Sequence, residues 1–254
     1  MSKSSSLLYL PRTSVFETNL YRQVDLYALA HAPDLIRGIF DKCQLTSYLD
    51  LVKTTLETRK NGSATNSAVT CTALALDCYE GALHSNGTDA EIKAALVGGL
   101  YAAIGRTHQR YTSHLSSYEA QVQLQTDHAK TPKHQQLKPE ALAKALKAIA
   151  CLQRPMGPKP TEFVARVMFD ANRMTPYLPE LVRQALYQEL RQELCGDDPS
   201  DELCEKFYQE LTRNFSQTEW LTRWGRLKAH HRNWPLTVRR LMADLKTKQF
   251  EELL

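Results

Sequence analysis

Glycine is scarce in this chain. Ten glycines in 254 residues leave little of the tight-turn chemistry that hairpins demand, which argues against an all-β fold. Long apolar runs are lacking as well. No stretch of 18 apolar residues occurs, so no membrane-spanning helix is expected. The first ten residues hold one Lys and a short apolar patch, too little for a secretory signal peptide. The six cysteines (Cys43, Cys71, Cys78, Cys151, Cys195, Cys204) form no C-x-x-C pair and no zinc-finger spacing. Several sit in apolar helical patterns, so buried free thiols in a reducing compartment are expected. A cytoplasmic protein is the expectation, with signal-independent secretion into a host cell left open.

What is present is helical periodicity. Apolar residues recur at helical spacing through roughly Asn19 to Phe40, where Pro33 opens a second helix after a break. The pattern continues through Leu45 to Thr58, Asn66 to Leu83, Asp89 to Ala103, Ser113 to Thr126, Glu140 to Gln153 and Thr161 to Asn172. Further helices are predicted near Pro179–Leu194, Ser200–Asn214, Thr218–His230 and Pro235–Leu254. No segment alternates in the manner of a strand, so the fold class is all-α. The 89–103 helix is almost wholly Ala, Leu, Ile, Val and Gly after Lys93, and should run through the middle of the domain. Thr88, with Glu91 three residues on, is its expected cap.

One stretch of that helix carries more. Ala94-Ala-Leu-Val-Gly-Gly-Leu-Tyr-Ala-Ala-Ile-Gly-Arg106 resembles the metal-binding helix of the HD-domain phosphohydrolase and phosphodiesterase superfamily, which ends in Leu-His-Asp-Ile-Gly-Lys. About 35 residues upstream, Asn66-Ser67 falls where the family has its first His. Ala148-Ile-Ala-Cys-Leu-Gln153 is similar to the helix that often ends in another His. Arg166-Val-Met-Phe-Asp-Ala-Asn-Arg-Met174 is similar to the closing run Asp-Ala-Asp-Arg-Leu. The resemblance covers about residues 60 to 175. It implies an HD-like multi-helix core at 61–178, N-terminal helices of 1–60 packed on it, and a C-terminal helical extension at 179–254.

The resemblance also shows what has been lost. The ligand positions are Asn66, Ala102 and Ala103, which leaves Asp170 alone of four. One carboxylate with an amide oxygen is a poor transition-metal site, so no metal and no cofactor are expected. The plain account of Asp170 is a helix-terminal carboxylate paired with Arg173. The leading expectation is a catalytically degenerate HD-like domain that binds a protein or a nucleotide-like ligand through Asn66, Asp170, Arg106, Arg110 and Arg173.

Two alternatives remain open. Some HD-like phosphodiesterases of bacterial effectors, acting on phosphoribosyl-linked ubiquitin, use His and Glu without a metal. Such chemistry needs a His near a carboxylate, and His108, His114 and Glu119 are the candidates, with solvated or capping histidines as the plain account. His84 reads as a helix C-terminal residue favouring the dipole, and His128 and His134 fall in a loop-like tract. The second alternative is a basic surface. Nine cations stand against Glu219 and Asp244 between Arg213 and Lys248, a net of +7 in a chain of +4. Arg223, Arg226, Lys228 and Arg232, interleaved with Trp220, Trp224 and Trp234, could meet nucleic acid or an acidic partner. The competing account packs Trp220, Trp224, Leu221 and Leu227 on the core and leaves the cations solvated.

Overall fold

The computed structural model describes residues 33–58, 64–102, 104, 113–152, 158–174 and 219–231, with single positions at 202 and 209. Within these, the side chains of 33–35, 64–70, 113–116, 230 and 231 lie outside the described set. Among the described residues lie eight α-helices: α1 Pro33–Lys42, α2 Thr46–Thr58, α3 Ala64–His84, α4 Asp89–Ala102, α5 Ser113–Lys130, α6 Pro139–Ala150, α7 Phe163–Met174 and α8 Arg223–His231. A 3-10 turn at Lys133–Gln135 links α5 to α6. No strand occurs among the described residues, and the protein is all-α.

The helix α4 is the centre of the packing. Every residue from Ala94 to Ala102 is buried, because nothing polar follows Lys93 and each face of the helix meets another helix. Its neighbours are α2, α3, α5, α6 and α7. Small residues set how near they come. A methyl group on Gly99 would lie 2.8 Å from the Leu74 carbonyl oxygen and 2.9 Å from the Ala75 Cα, so α4 and α3 touch almost backbone to backbone. Gly98 faces the thioether of Met168 on α7.

Local chemistry sets the ends. At the start of α4, the Thr88 N–H donates to Glu91 Oε2 at 2.9 Å, and the Glu91 N–H donates to Thr88 Oγ1 at 3.4 Å. This is the reciprocal cap read from the sequence. Burial pulls the Glu91 carboxyl up, but the Thr88 donors and Lys144 outweigh it and hold the group below its ordinary value. α3 closes on Asn86 in the left-handed region (φ 59°), where the Gly87 N–H reaches the Ala82 carbonyl at 2.8 Å. Helices α1 and α2 add Ile36, Phe40, Tyr48, Val52 and Leu56 to the same core.

The largest departures from the expected boundaries are in α5 and α8. α5 runs to Lys130, not Thr126, so His128 lies in its last turn and not in a loop. Its final carbonyls are satisfied locally, with the Thr131 N–H on the Asp127 oxygen at 2.9 Å, and Pro132 stops the helix. α8 begins at Arg223, not Thr218, because Thr222 caps it. Cys43, Cys71, Cys78 and Cys151 are buried free thiols, and Cys195 and Cys204 lie outside the described residues. Among the described residues no helix is long and apolar enough to cross a membrane.

Candidate functional site

The apolar face of α7 buries Val164, Ala165, Val167, Met168, Ala171 and Met174. Asp170 sits on that same face at 0 % exposure, where a bare carboxylate would be costly. Three donors of the 219–225 segment explain it. The Leu221 N–H donates to Asp170 Oδ1 at 2.9 Å, and the Thr222 N–H and hydroxyl donate to Oδ2 at 2.8 and 2.7 Å. Thr222 Oγ1 in turn accepts the Gly225 N–H at 2.8 Å, which makes Thr222 the N-cap of α8. A carboxylate under a helix N-terminus also meets the positive end of the helix dipole. Burial pushes the Asp170 carboxyl up, and the bonds from Thr222 and Leu221 with the charge of Arg173 pull only part of the way back.

Arg166 and Arg173 flank Asp170 at helical spacing, four residues before and three after, so the three lie on one side of α7. Arg166 donates to the Leu221 carbonyl, and Arg173 to the Glu219 carbonyl at 3.4 Å. The Arg173 guanidinium also lies 4.1 Å from the centre of the Phe169 ring. The 219–222 segment is thus gripped by its main chain.

Past Thr222, shape takes over. A Cβ on Gly225 would collide with the Asp170 carboxylate, so glycine is what lets α8 come down on α7. Trp224 is buried against Gly81 of α3, where an added methyl would lie 2.8 Å from Trp224 Cε3 and 2.9 Å from Val167 Cγ1. One turn on, Lys228 Nζ lies 2.7 and 2.8 Å from the two Glu80 oxygens, with the side chains 11 % and 17 % exposed.

A second polar cluster is built into the layer between α2, α4 and α5. Asp127 accepts the Tyr101 hydroxyl at 2.9 Å and the Gln123 amide at 3.0 Å on each oxygen. Beside it, Tyr48 Oη lies 2.5 Å from His128 Nδ1 and accepts the Leu137 N–H at 3.1 Å. Tyr48 and Tyr101 meet edge to face, their ring centres 6.2 Å apart. Tyr48, Tyr101 and Asp127 are at most 1 % exposed. With their hydrogen bonds turned on one another, these groups brace the fold.

The structure redistributes the residues that the sequence singles out. Asp170 feels the charge of Arg173 but is not at the helix end. It lies inside α7 with its oxygens on Leu221 and Thr222, and Arg173 faces Glu219 and Phe169. Lys228 is not a free surface cation, because Glu80 holds it. Leu227 is 50 % exposed and does not pack on the core, since α8 turns Trp224 and Ala229 inward instead. Trp224 does pack on the core, Trp220 is partly buried beside it, and Arg223 and Arg226 are exposed. Glu119 is exposed on α5, and His84 lies 3.9 Å from Glu80 in the last turn of α3. Ala102 ends α4 with its methyl buried. The side chains of Asn66 and His114 lie outside the described residues, as do Ala103, Arg106, His108, Arg110, Arg232 and Trp234.

Sequence reasoning misses Thr222, Gly225, Gly81, Arg166 and Glu80, and it misses the Tyr48–Tyr101–Asp127–His128 cluster. A faint signal exists only for Thr222, a capping residue just ahead of Trp224 and Leu227 at helical spacing. Among the described residues, no group of three or more His, Cys, Asp or Glu side chains is placed to hold a metal ion. No protein-family model, no curated protein and no solved structure matches this chain.

Proposed function

We propose that this chain is a catalytically degenerate HD-like helical domain that works by binding protein segments. The observation that carries the reading is the use α7 makes of its polar side chains. Arg166, Asp170 and Arg173 all address main-chain groups of residues 219–222. A nucleotide site needs guanidinium groups aimed at phosphate oxygens, whereas here a carboxylate and two carbonyl-directed arginines match the alternating donors and acceptors of a peptide. The same observation weighs against metal-dependent hydrolysis. Asp170 is the one family-type ligand left in the sequence, and both its oxygens already accept N–H or O–H donors in a dry site. A cation there would have to displace three hydrogen bonds and unseat α8.

The test uses the full chain. Incubated with manganese and bis(p-nitrophenyl) phosphate, it should show no turnover above buffer, and elemental analysis should find no stoichiometric transition metal. Manganese-dependent turnover that vanishes in Asp170→Asn would overturn the reading. Metal-independent turnover lost in His108→Ala or His114→Ala would replace it with the His/Glu phosphodiesterase.

A second reading draws on α8, where Arg223 and Arg226 share the exposed side with Leu227. It expects salt-sensitive DNA or RNA binding that is lost when Arg223, Arg226 and Arg232 are neutralised. No binding at low salt would end it.

A further inference from the structure

The segment 219–231 is held in the manner of a bound peptide. Glu219, Leu221 and Thr222 are read through the backbone by Arg166, Asp170 and Arg173, and its helix is seated by one aromatic anchor, Trp224, over Gly81. In the sequence 44 residues (175–218) separate Met174 from Glu219. The fit is also incomplete. Trp224 Nε1 is buried with no hydrogen-bond partner among the described residues, and Leu227 faces solvent.

We propose that the groove between α3 and α7 is a peptide-docking site, and that residues 219–231 are its resident and releasable occupant. The inference rests on the protein-binding reading and adds to it the site and its specificity. The partner that fits is a peptide entering a helix in the order found here. A threonine cap meets Asp170, a tryptophan two residues on fills the space over Gly81, and a glycine three residues on clears the carboxylate. Release follows from the unequal strength of the parts. Local opening of a segment docked on two helices costs less than opening the core, and a partner that satisfies the indole N–H improves on the resident.

Competition by the resident is the quantity to measure. A tethered segment presents itself at an effective concentration of roughly millimolar, so an outside peptide binds the wild-type groove weakly. Gly225→Ala in the full chain places a methyl group against Asp170 and unseats the resident. A fluorescein-labelled peptide of residues 217–231, carrying the native glycine, should bind that variant at least tenfold more tightly than wild type by anisotropy. Adding Asp170→Ala should return binding to the wild-type level. Equal affinity for all three proteins overturns the proposal.

Hydrogen exchange on the wild-type chain supplies a test that no folding defect can spoil. Amides of Thr222–Ala229 should exchange by local opening while those of Leu96–Leu100 in α4 stay protected. A common rate for both overturns the proposal. Either failure leaves the hydrolysis assay unaffected, whereas manganese-dependent turnover would remove the protein-binding reading itself.

Discussion

The hydroxyl of Tyr48 stands 2.5 Å from Nδ1 of His128 and accepts the N–H of Leu137 at 3.1 Å. We assign His128 the neutral tautomer with its proton on Nε2, in which Nδ1 accepts the Tyr48 phenol proton while the phenol oxygen accepts the Leu137 N–H. The pair ties the last turn of α5 to α2, and the loop that follows is held to α2 by Leu137 and by Gln135, whose Oε1 accepts the Ser47 N–H at 2.9 Å.

A pH dependence follows with a defined sign. Burial lowers the His128 pKa in the folded chain, while an unfolded histidine titrates near about 6.5. Below that pH the unfolded chain takes up a proton that the folded one resists. The contribution of His128 is therefore fully present above about pH 6.5 and is lost as pH falls through the lowered folded value. Urea midpoints at pH 7.5 and 5.5 should differ less in His128→Gln than in wild type. An equal or larger pH difference in the variant would refute this assignment.

Asp127 and Tyr101 should be coupled. Burial and the adjacent carboxylate drive the Tyr101 hydroxyl far above its usual range, so it is a donor at every accessible pH. Tyr101→Phe removes that donor from a buried carboxylate and should destabilise the chain by about 1–3 kcal/mol. In a double-mutant cycle with Asp127→Asn, measured by denaturant unfolding, the coupling should exceed about 0.5 kcal/mol. Strict additivity would show that the contact contributes nothing.

Gly98 and Gly99 are adjacent but should respond differently to alanine. At 98 the new methyl meets the flexible Met168 side chain, and the helix gains propensity of about 1 kcal/mol, so Gly98→Ala should be near neutral. At 99 it meets the Leu74 carbonyl and the Ala75 Cα, which cannot step aside. Gly99→Ala should lose about 1–3 kcal/mol through overpacking. Thermal melts of the two variants decide it, and reversal of the order would refute the packing described for α3 and α4.

The buried thiols should be inert in the native chain. Burial pushes Cys43 up to about 11 and Cys78 well above its usual value, and it raises Cys151 as well. Iodoacetamide at pH 8 should leave Cys43, Cys78 and Cys151 unmodified in peptide mass maps and label all three in urea. Native labelling at Cys78, which is 0 % exposed, would contradict the core.

Much of the helical frame was legible because helix formation is local. The cap at Thr88 and Glu91, the start at Pro33, and the apolar run that places α4 at the centre can each be read from residues within a few positions of one another. The boundaries of α5 and α8 were less legible. Asp127 and His128 look like polar loop residues until Tyr101 and Tyr48 arrive from 26 and 80 positions away. Glu219 to Leu221 look helical until Arg173 takes the Glu219 carbonyl and Asp170 and Arg166 take the backbone groups of Leu221.

Asp170 marks the division between sequence and tertiary structure most clearly. By itself the sequence determined an all-α chain with a central apolar helix, and it placed a lone carboxylate where a family resemblance expects a metal ligand. Only the tertiary structure decided what that carboxylate does. A side chain's partners are set by which segments fold back onto it, and here the 221–222 backbone returns across 51 and 52 positions. No periodicity or spacing encodes that return. It is settled by Trp224 finding the gap over Gly81, and by Gly225 clearing the path to Asp170.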